Sequence, residues 1–168
     1  MKSEIRFEAT YPHPIERVWS VLVDPVAMGD WLMPNDFEPR VGHRFTFRTD
    51  PAPGFDGIVH CEVLELEAPS RFALSWRGGP LDTVLRIDLE PVGDRATRLR
   101  LAHTGFDGLR DALVARILGR GTRRIYGRLL PAYLDRIRPD GSLAPALPAP
   151  PMRDPISALI ARIAARLR

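Results

Sequence analysis

From Ile5 to Tyr11 the chain alternates, with Ile5, Phe7, Ala9 and Tyr11 on one side and Arg6, Glu8 and Thr10 on the other. This period of two predicts a half-buried first strand. Pro12 and Pro14 end it, and Pro14 suits the first turn of a helix, where a missing N–H costs nothing. Ile15, Val18, Trp19 and Leu22 then recur at helical spacing. Asp24-Pro25 breaks that helix, and Asp24 is placed to cap a second short helix reaching Trp31. Pro34-Asn35-Asp36 reads as a loop. Strand patterns follow at 44–48, 57–67, 71–77, 85–89 and 98–103, each with one apolar and one charged face. That pattern predicts an antiparallel sheet with one wet side. Gly78-Gly79-Pro80 and Gly93-Asp94 mark turns between strands. The alternation slips near Val63-Leu64, which predicts a bulge.

A helical region begins near Gly108. Leu109, Leu113, Ile117 and Leu118 form one apolar stripe. Ile125, Tyr126, Leu129, Leu130, Tyr133, Leu134 and Ile137 form a second. Gly119 and Gly121 lie between the stripes and predict a break or kink. Pro131 removes an amide donor and predicts a second kink or a helix restart. Residues 139–155 hold six prolines and read as an extended linker. Beyond it, Ile156, Leu159, Ile160, Ile163 and Leu167 mark one side of a short basic amphipathic helix over 156–168. The organisation expected is therefore a domain over 1–138, a linker over 139–155 and a terminal helix.

At 168 residues, with 45% apolar and 27% charged side chains, one globular domain with a self-sufficient core is expected. The N-terminus lacks the apolar stretch of a signal peptide, no run is long enough for a membrane span, and a cytoplasmic location is the simplest expectation. Cys61 is the only cysteine, which excludes an internal disulfide and any multi-cysteine zinc site. The net charge of +3 conceals an asymmetry. Residues 1–106 carry 12 basic and 16 acidic side chains, whereas residues 107–168 carry 12 basic and 5 acidic. All the basic residues but Lys2 are arginine. The excess reflects either an Arg-rich composition or a basic C-terminal surface that meets an acidic partner, nucleic acid or an anionic membrane.

Several short pieces occur in a familiar order: P-I-E-R-V-W at 14–19, D-P at 24–25, W-L-M-P at 31–34, G-H-R-F-T-F at 42–47, V-L-E-L at 63–66, S-W-R at 75–77 and T-R-L-R-L at 97–101. Over about residues 3–138 the chain resembles the family related to the activator of Hsp90 ATPase, within the START-like (Bet v 1-like, SRPBCC) superfamily. The resemblance implies an α+β helix-grip fold, in which a curved seven-stranded antiparallel sheet wraps a long C-terminal helix around a cavity. Two short helices follow the first strand. The family includes chaperone cofactors, small-molecule carriers, cyclases and hydrolases. What it implies here is a non-enzymatic domain that holds a small hydrophobic ligand or engages a partner protein. The alternative is a cyclase, dehydratase or hydrolase acting on an aromatic or polyketide-like compound. Many relatives carry a Gly-Trp pair in the long helix; this chain has none, and Tyr126-Gly127 occupies that region.

Given a cavity of that kind, His103 is the most informative polar residue. It continues the inward stripe of Leu99 and Leu101 and is either a satisfied core histidine or a contact for ligand or proton. Trp31, Phe45, Phe47, Trp76, Phe106, Tyr126 and Tyr133 are either ordinary core or aromatic cavity wall. Tyr126 and Tyr133 are seven residues apart and expected on one helix face. Glu62 and Arg77 belong to a solvated sheet face or a pocket rim. His60 and Cys61 are adjacent, so a regular strand points them to opposite faces, and a Cys–His nucleophile pair is not formed. His13 and His43 sit in turns. No His/Asp/Glu set shows metal-ligand spacing, and neither metal nor cofactor is expected. There is no nucleophile elbow, Walker loop or dinucleotide fingerprint, and the arginines are not interleaved with aromatics as in nucleic-acid binders. The terminal segment is expected to dock on its own domain or on a second copy, with contact to an anionic membrane as the lesser reading, so the chain is a monomer or homodimer.

Overall fold

A computed structural model describes residues 2–51 and 54–145. The amphipathic segment 156–168 and the linker residues 146–155 lie outside the described residues.

Six strands form one antiparallel sheet: β1 (Lys2–Tyr11), β2 (Arg44–Arg48), β3 (Ile58–Glu67), β4 (Arg71–Gly78), β5 (Leu81–Val92) and β6 (Ala96–Asp107). Their order across the sheet is β1-β6-β5-β4-β3-β2. Five strands run as a meander from one edge, and β1 closes the other by pairing with β6. The count is one short of the seven implied by resemblance. The stretch before β2 is held open by Pro34, Pro39 and Gly42, and it reaches the sheet through an isolated bridge between Asn35 and Phe47. The predicted bulge is present, since the β3–β4 register shifts between Val63 and Glu65.

Helix α1 (Ile15–Leu22) buries Val18, Val21 and Leu22, as its spacing requires. Helix α2 (Pro25–Trp31) is capped by Asp24, whose carboxylate accepts from Val26 N at 2.8 Å. Helix α3 (Gly108–Arg124) runs unbroken through Gly119 and Gly121, so the expected break there does not occur. Its buried face is made of small residues, Val114, Ala115, Gly119 and Thr122. Gly119 faces Ile5 of β1, where a Cβ would stand at 3.6 Å, an ordinary packing contact. The leucine stripe is therefore displaced: Leu109 is 82% exposed and Leu113 40%.

The irregularity falls one turn later, as a π turn (Ile125–Leu129) followed by α4 (Leu130–Asp135). Leu130 N bonds to the carbonyl five residues back, on Ile125. The next donor in that series would be residue 131, aimed at the Tyr126 carbonyl, but Pro131 has no N–H. The Tyr11 hydroxyl supplies the missing donor, 2.6 Å from Tyr126 O and buried. Burial also raises the Tyr11 phenol pKa, so it remains a donor. Tyr11→Phe leaves that carbonyl orphaned and is expected to cost about 1–3 kcal/mol, read as a lower urea midpoint at unchanged slope. A loss below a few tenths of a kcal/mol would show that the carbonyl finds another donor.

After α4 the chain folds back, with an isolated bridge between Ile137 and Leu143 and an Arg136 side-chain bond to Ala144 O at 3.0 Å. The main core lies between the sheet, α1, α2 and the π turn, and a smaller cluster packs Ile5 and Phe106 against Val114 and Ala115. No described helix is long and apolar enough to cross a membrane.

Candidate functional site

Strands β4, β5 and β6 each send one inward side chain, Trp76, Leu85 and His103, toward the same place. Leu118, Gly121 and Thr122 of α3, Ile125 and Tyr126 of the π turn, and Leu32 after α2 close it from the other side. Together they line a cavity of about 60 Å³. That is room for a few waters, well short of the roughly 150 Å³ that holds a benzene ring. The wall is mostly apolar, with His103, Thr122 and Tyr126 as its polar members.

His103 is 6% exposed. Its Nε2 stands 2.7 Å from Thr83 Oγ1, which in turn lies 3.0 Å from the Trp76 carbonyl. The carbonyl can only accept, so the single Thr83 proton goes to it. The hydroxyl then accepts from Nε2–H of His103. This relay assigns the tautomer and leaves the lone pair on Nδ1. Burial lowers the imidazole pKa to about 4, so the ring is neutral at neutral pH. The ring is also held between Phe106, at 4.9 Å between centroids, and Trp76, at 6.0 Å. Tyr126 meets Trp31 edge-on at 5.6 Å, and burial raises its phenol pKa so that it remains protonated.

Of the eight residues singled out as cavity candidates, Trp76, His103 and Tyr126 line the cavity. Trp31, Phe47 and Phe106 stand behind them, each in ring contact with one of the three. Phe45 packs with Phe37 and Phe47 in the core. Tyr133 is elsewhere, against Arg136 and near Asp24 and Asp30. The π turn breaks the seven-residue repeat that would have put Tyr133 beside Tyr126. Leu32, Leu85, Leu118, Gly121, Thr122 and Ile125 went unread as wall residues, because only the docking of α3 makes wall out of ordinary apolar positions.

The remaining candidates form no second site on this cavity. Cys61 is buried with its thiol pKa raised by desolvation, while its neighbour His60 is exposed on the other face. Glu62 pairs with Arg44 at 3.4 Å and Arg77 with Asp82 at 2.9 Å, both on the outer face of the sheet. His13 Nε2 is 2.8 Å from Asp135 and ties the end of β1 to the end of α4. His43 stacks on Phe45 and contacts the Asp36 carbonyl at 3.0 Å. Among the described residues no three His, Cys, Asp or Glu side chains are grouped to hold a metal.

Comparison with known proteins accounts for this architecture. Protein MLL2253 from Mesorhizobium loti is 30% identical, with 81% of this chain and 99% of that one covered and a TM-score of 0.71. The Mll3558 protein from Rhizobium loti is 25% identical over 77% of this chain and 96% of its own, with a TM-score of 0.66. DynU16, a protein of the dynemicin biosynthetic locus, shares the fold at 22% identity and a TM-score of 0.64, with 83% of this chain and 49% of that one covered. No curated protein matches the chain. The profile of the activator of Hsp90 ATPase homolog 1-like proteins matches residues 12–135, most of the described domain, and the chain belongs to that family.

Proposed function

We propose that the domain binds a small, largely apolar molecule carrying one hydrogen-bond donor, with the donor meeting Nδ1 of His103. The observation that carries this reading is the Trp76–Thr83–His103 relay, which holds a neutral imidazole with one committed nitrogen in an otherwise apolar wall. An apolar cavity with one oriented polar group selects by shape and by a single hydrogen bond. The cavity, about 60 Å³ and partly open, is too small for such a ligand, so binding requires its walls to part, with α3 moving away from the sheet. The π turn beside the cavity is the place where the helix is already irregular.

A catalytic reading rests on Tyr126, a protonated phenol on the same wall as a histidine, two groups of the kinds that serve as general acid and base. The histidine argues against it. A base with a pKa of about 4 takes up a proton poorly at neutral pH. Carriage or sensing of the ligand therefore fits the site better than turnover.

Native mass spectrometry of the protein purified from its own host tests occupancy, and a stoichiometric extra mass lost on denaturation is expected. Phenol and toluene, which share a shape and differ in one donor, test the role assigned to His103. Phenol's advantage over toluene in calorimetry should fall about tenfold in His103→Leu, the worth of one hydrogen bond. An unchanged ratio removes His103 from the site. Conversion of the bound compound into a product on incubation moves the reading to an enzyme.

A further inference from the structure

The arginines of this protein fall into two groups. Most of those on the outer face of the sheet are matched by acids. Glu8 and Glu90 each stand 3.5 or 3.6 Å from Arg98 and Arg100, Arg71 is 2.8 Å from Asp88, and Arg86 pairs with Glu65. Three on α3 are not. Arg116, Arg120 and Arg123 are exposed, and among the described residues none of the three forms an ion pair. Asp111, the one acid within α3, is engaged at the helix start, where it accepts from Asp107 N at 3.0 Å.

Leu109, Leu113, Arg116, Arg120 and Arg123 are spaced four, three, four and three residues apart, so they form one row on the helix. The row lies opposite Val114, Ala115, Gly119 and Thr122, the face packed on the sheet and cavity. It extends roughly 20 Å, beginning with two exposed leucines and continuing as unpaired guanidinium groups. The arginines are solvated as they stand, but a row that sets apolar and cationic side chains side by side matches a surface that offers both an apolar layer and anionic groups.

We propose that this outer row of α3 docks on an anionic lipid bilayer. Guanidinium groups bond lipid phosphates in bidentate fashion, and the two leucines enter the acyl boundary. A nucleic acid would match the charge but offers nothing to the leucines, and the exposed large apolar residues include no aromatic to stack on bases. The chain's own terminal segment is a poor cover for the row, because 146–168 carries Arg153, Arg162, Arg166 and Arg168 against Asp154 and is repelled by it. The inner face of the same helix forms a wall of the cavity, so docking would place that cavity one helix diameter from the lipid.

The test is flotation of the full-length protein with vesicles of phosphatidylcholine alone and of phosphatidylcholine mixed with phosphatidylserine. Binding is expected only to the mixed vesicles and should weaken as salt is raised. Arg116→Gln, Arg120→Gln and Arg123→Gln together should lower it on the order of 100-fold. Leu109→Ser with Leu113→Ser should weaken it further while preserving the salt dependence. These positions are exposed, so circular dichroism should show both variants folded. Three results overturn the proposal: no binding to the mixed vesicles, binding that the triple variant retains, or binding abolished by Arg162→Gln, Arg166→Gln and Arg168→Gln but not by the α3 changes. Capture of polyaspartate or DNA without vesicle binding also overturns it, in favour of an acidic macromolecule.

Discussion

Phe47→Ala is expected to lower the stability of this domain by roughly 3–5 kcal/mol, the range for removing a large aromatic side chain from a packed core. Phe47 is 0% exposed and sits in a chain of rings, 5.2 Å from Phe45 and 5.4 Å from Trp76. Its strand is an edge strand, β2, which pairs only with β3 and with the bridge to Asn35. Few neighbouring groups are therefore placed to collapse into the gap from that side, and the cost should lie in the upper half of the range. The same substitution removes the ring behind Trp76, a wall of the cavity, so the vacated volume can merge with the existing space. Urea unfolding measures the first effect as a shifted midpoint at constant slope. Toluene binding by calorimetry measures the second, and should be stronger in Phe47→Ala than in the wild type. A loss under about 1 kcal/mol would mean that β2 repacks freely and that the aromatic chain is not a rigid support. Should Phe47→Ala fail to fold, Phe47→Leu gives the same reading at a smaller loss.

The second large effect concerns pH. His103 has a folded-state pKa of about 4, below the ordinary 6.5, because its burial disfavours the imidazolium. The unfolded chain therefore takes up this proton first as the pH falls. Stability from this group is complete above pH 6.5 and is lost progressively down to about pH 4, a total on the order of 3 kcal/mol. His103→Leu removes the titration while the Thr83 hydroxyl keeps its bond to the Trp76 carbonyl. The wild type should lose about 2–3 kcal/mol more than His103→Leu between neutral pH and about pH 4.5. Groups common to both proteins cancel in the difference. Equal losses would place His103 in a solvated environment, and the assignment of a neutral, oriented imidazole would fail with it.

The elements that a one-dimensional pattern encodes were legible from the chain. β1, α1, the Asp24 cap and the slip near Val63 appear where alternation, spacing and capping chemistry put them, because each depends on residues within a few positions of one another. His103 was legible as an inward polar residue for the same reason, since alternation along one strand decides which face it occupies. The seventh strand was not, because it came from resemblance rather than pattern, and the prolines and glycine before β2 permit only a bridge. The helix irregularity was placed at Gly119 and Gly121, yet the helix passes through both. A glycine in a helix weakens it locally, but α3 is held by the burial of Val114, Ala115, Gly119 and Thr122 along one face. Pro131 did disturb the helix, and a tyrosine 120 positions earlier, Tyr11, supplies the donor that the proline lacks.

Sequence alone thus determined the antiparallel sheet, the two short helices, the C-terminal helical region and the inward position of His103, all consequences of local periodicity and backbone chemistry. Tertiary structure decided which residues form the cavity wall, which ring nitrogen of His103 is free, and that Leu109 and Leu113 face outward beside unmatched arginines. Those properties depend on how close α3 comes to the sheet and along which face. The docking of the helical region rests on contacts between residues far apart in the chain, such as Ile5 and Phe106 with Val114 and Ala115 and the Tyr11 hydroxyl with the Tyr126 carbonyl, whose pairing no local pattern records.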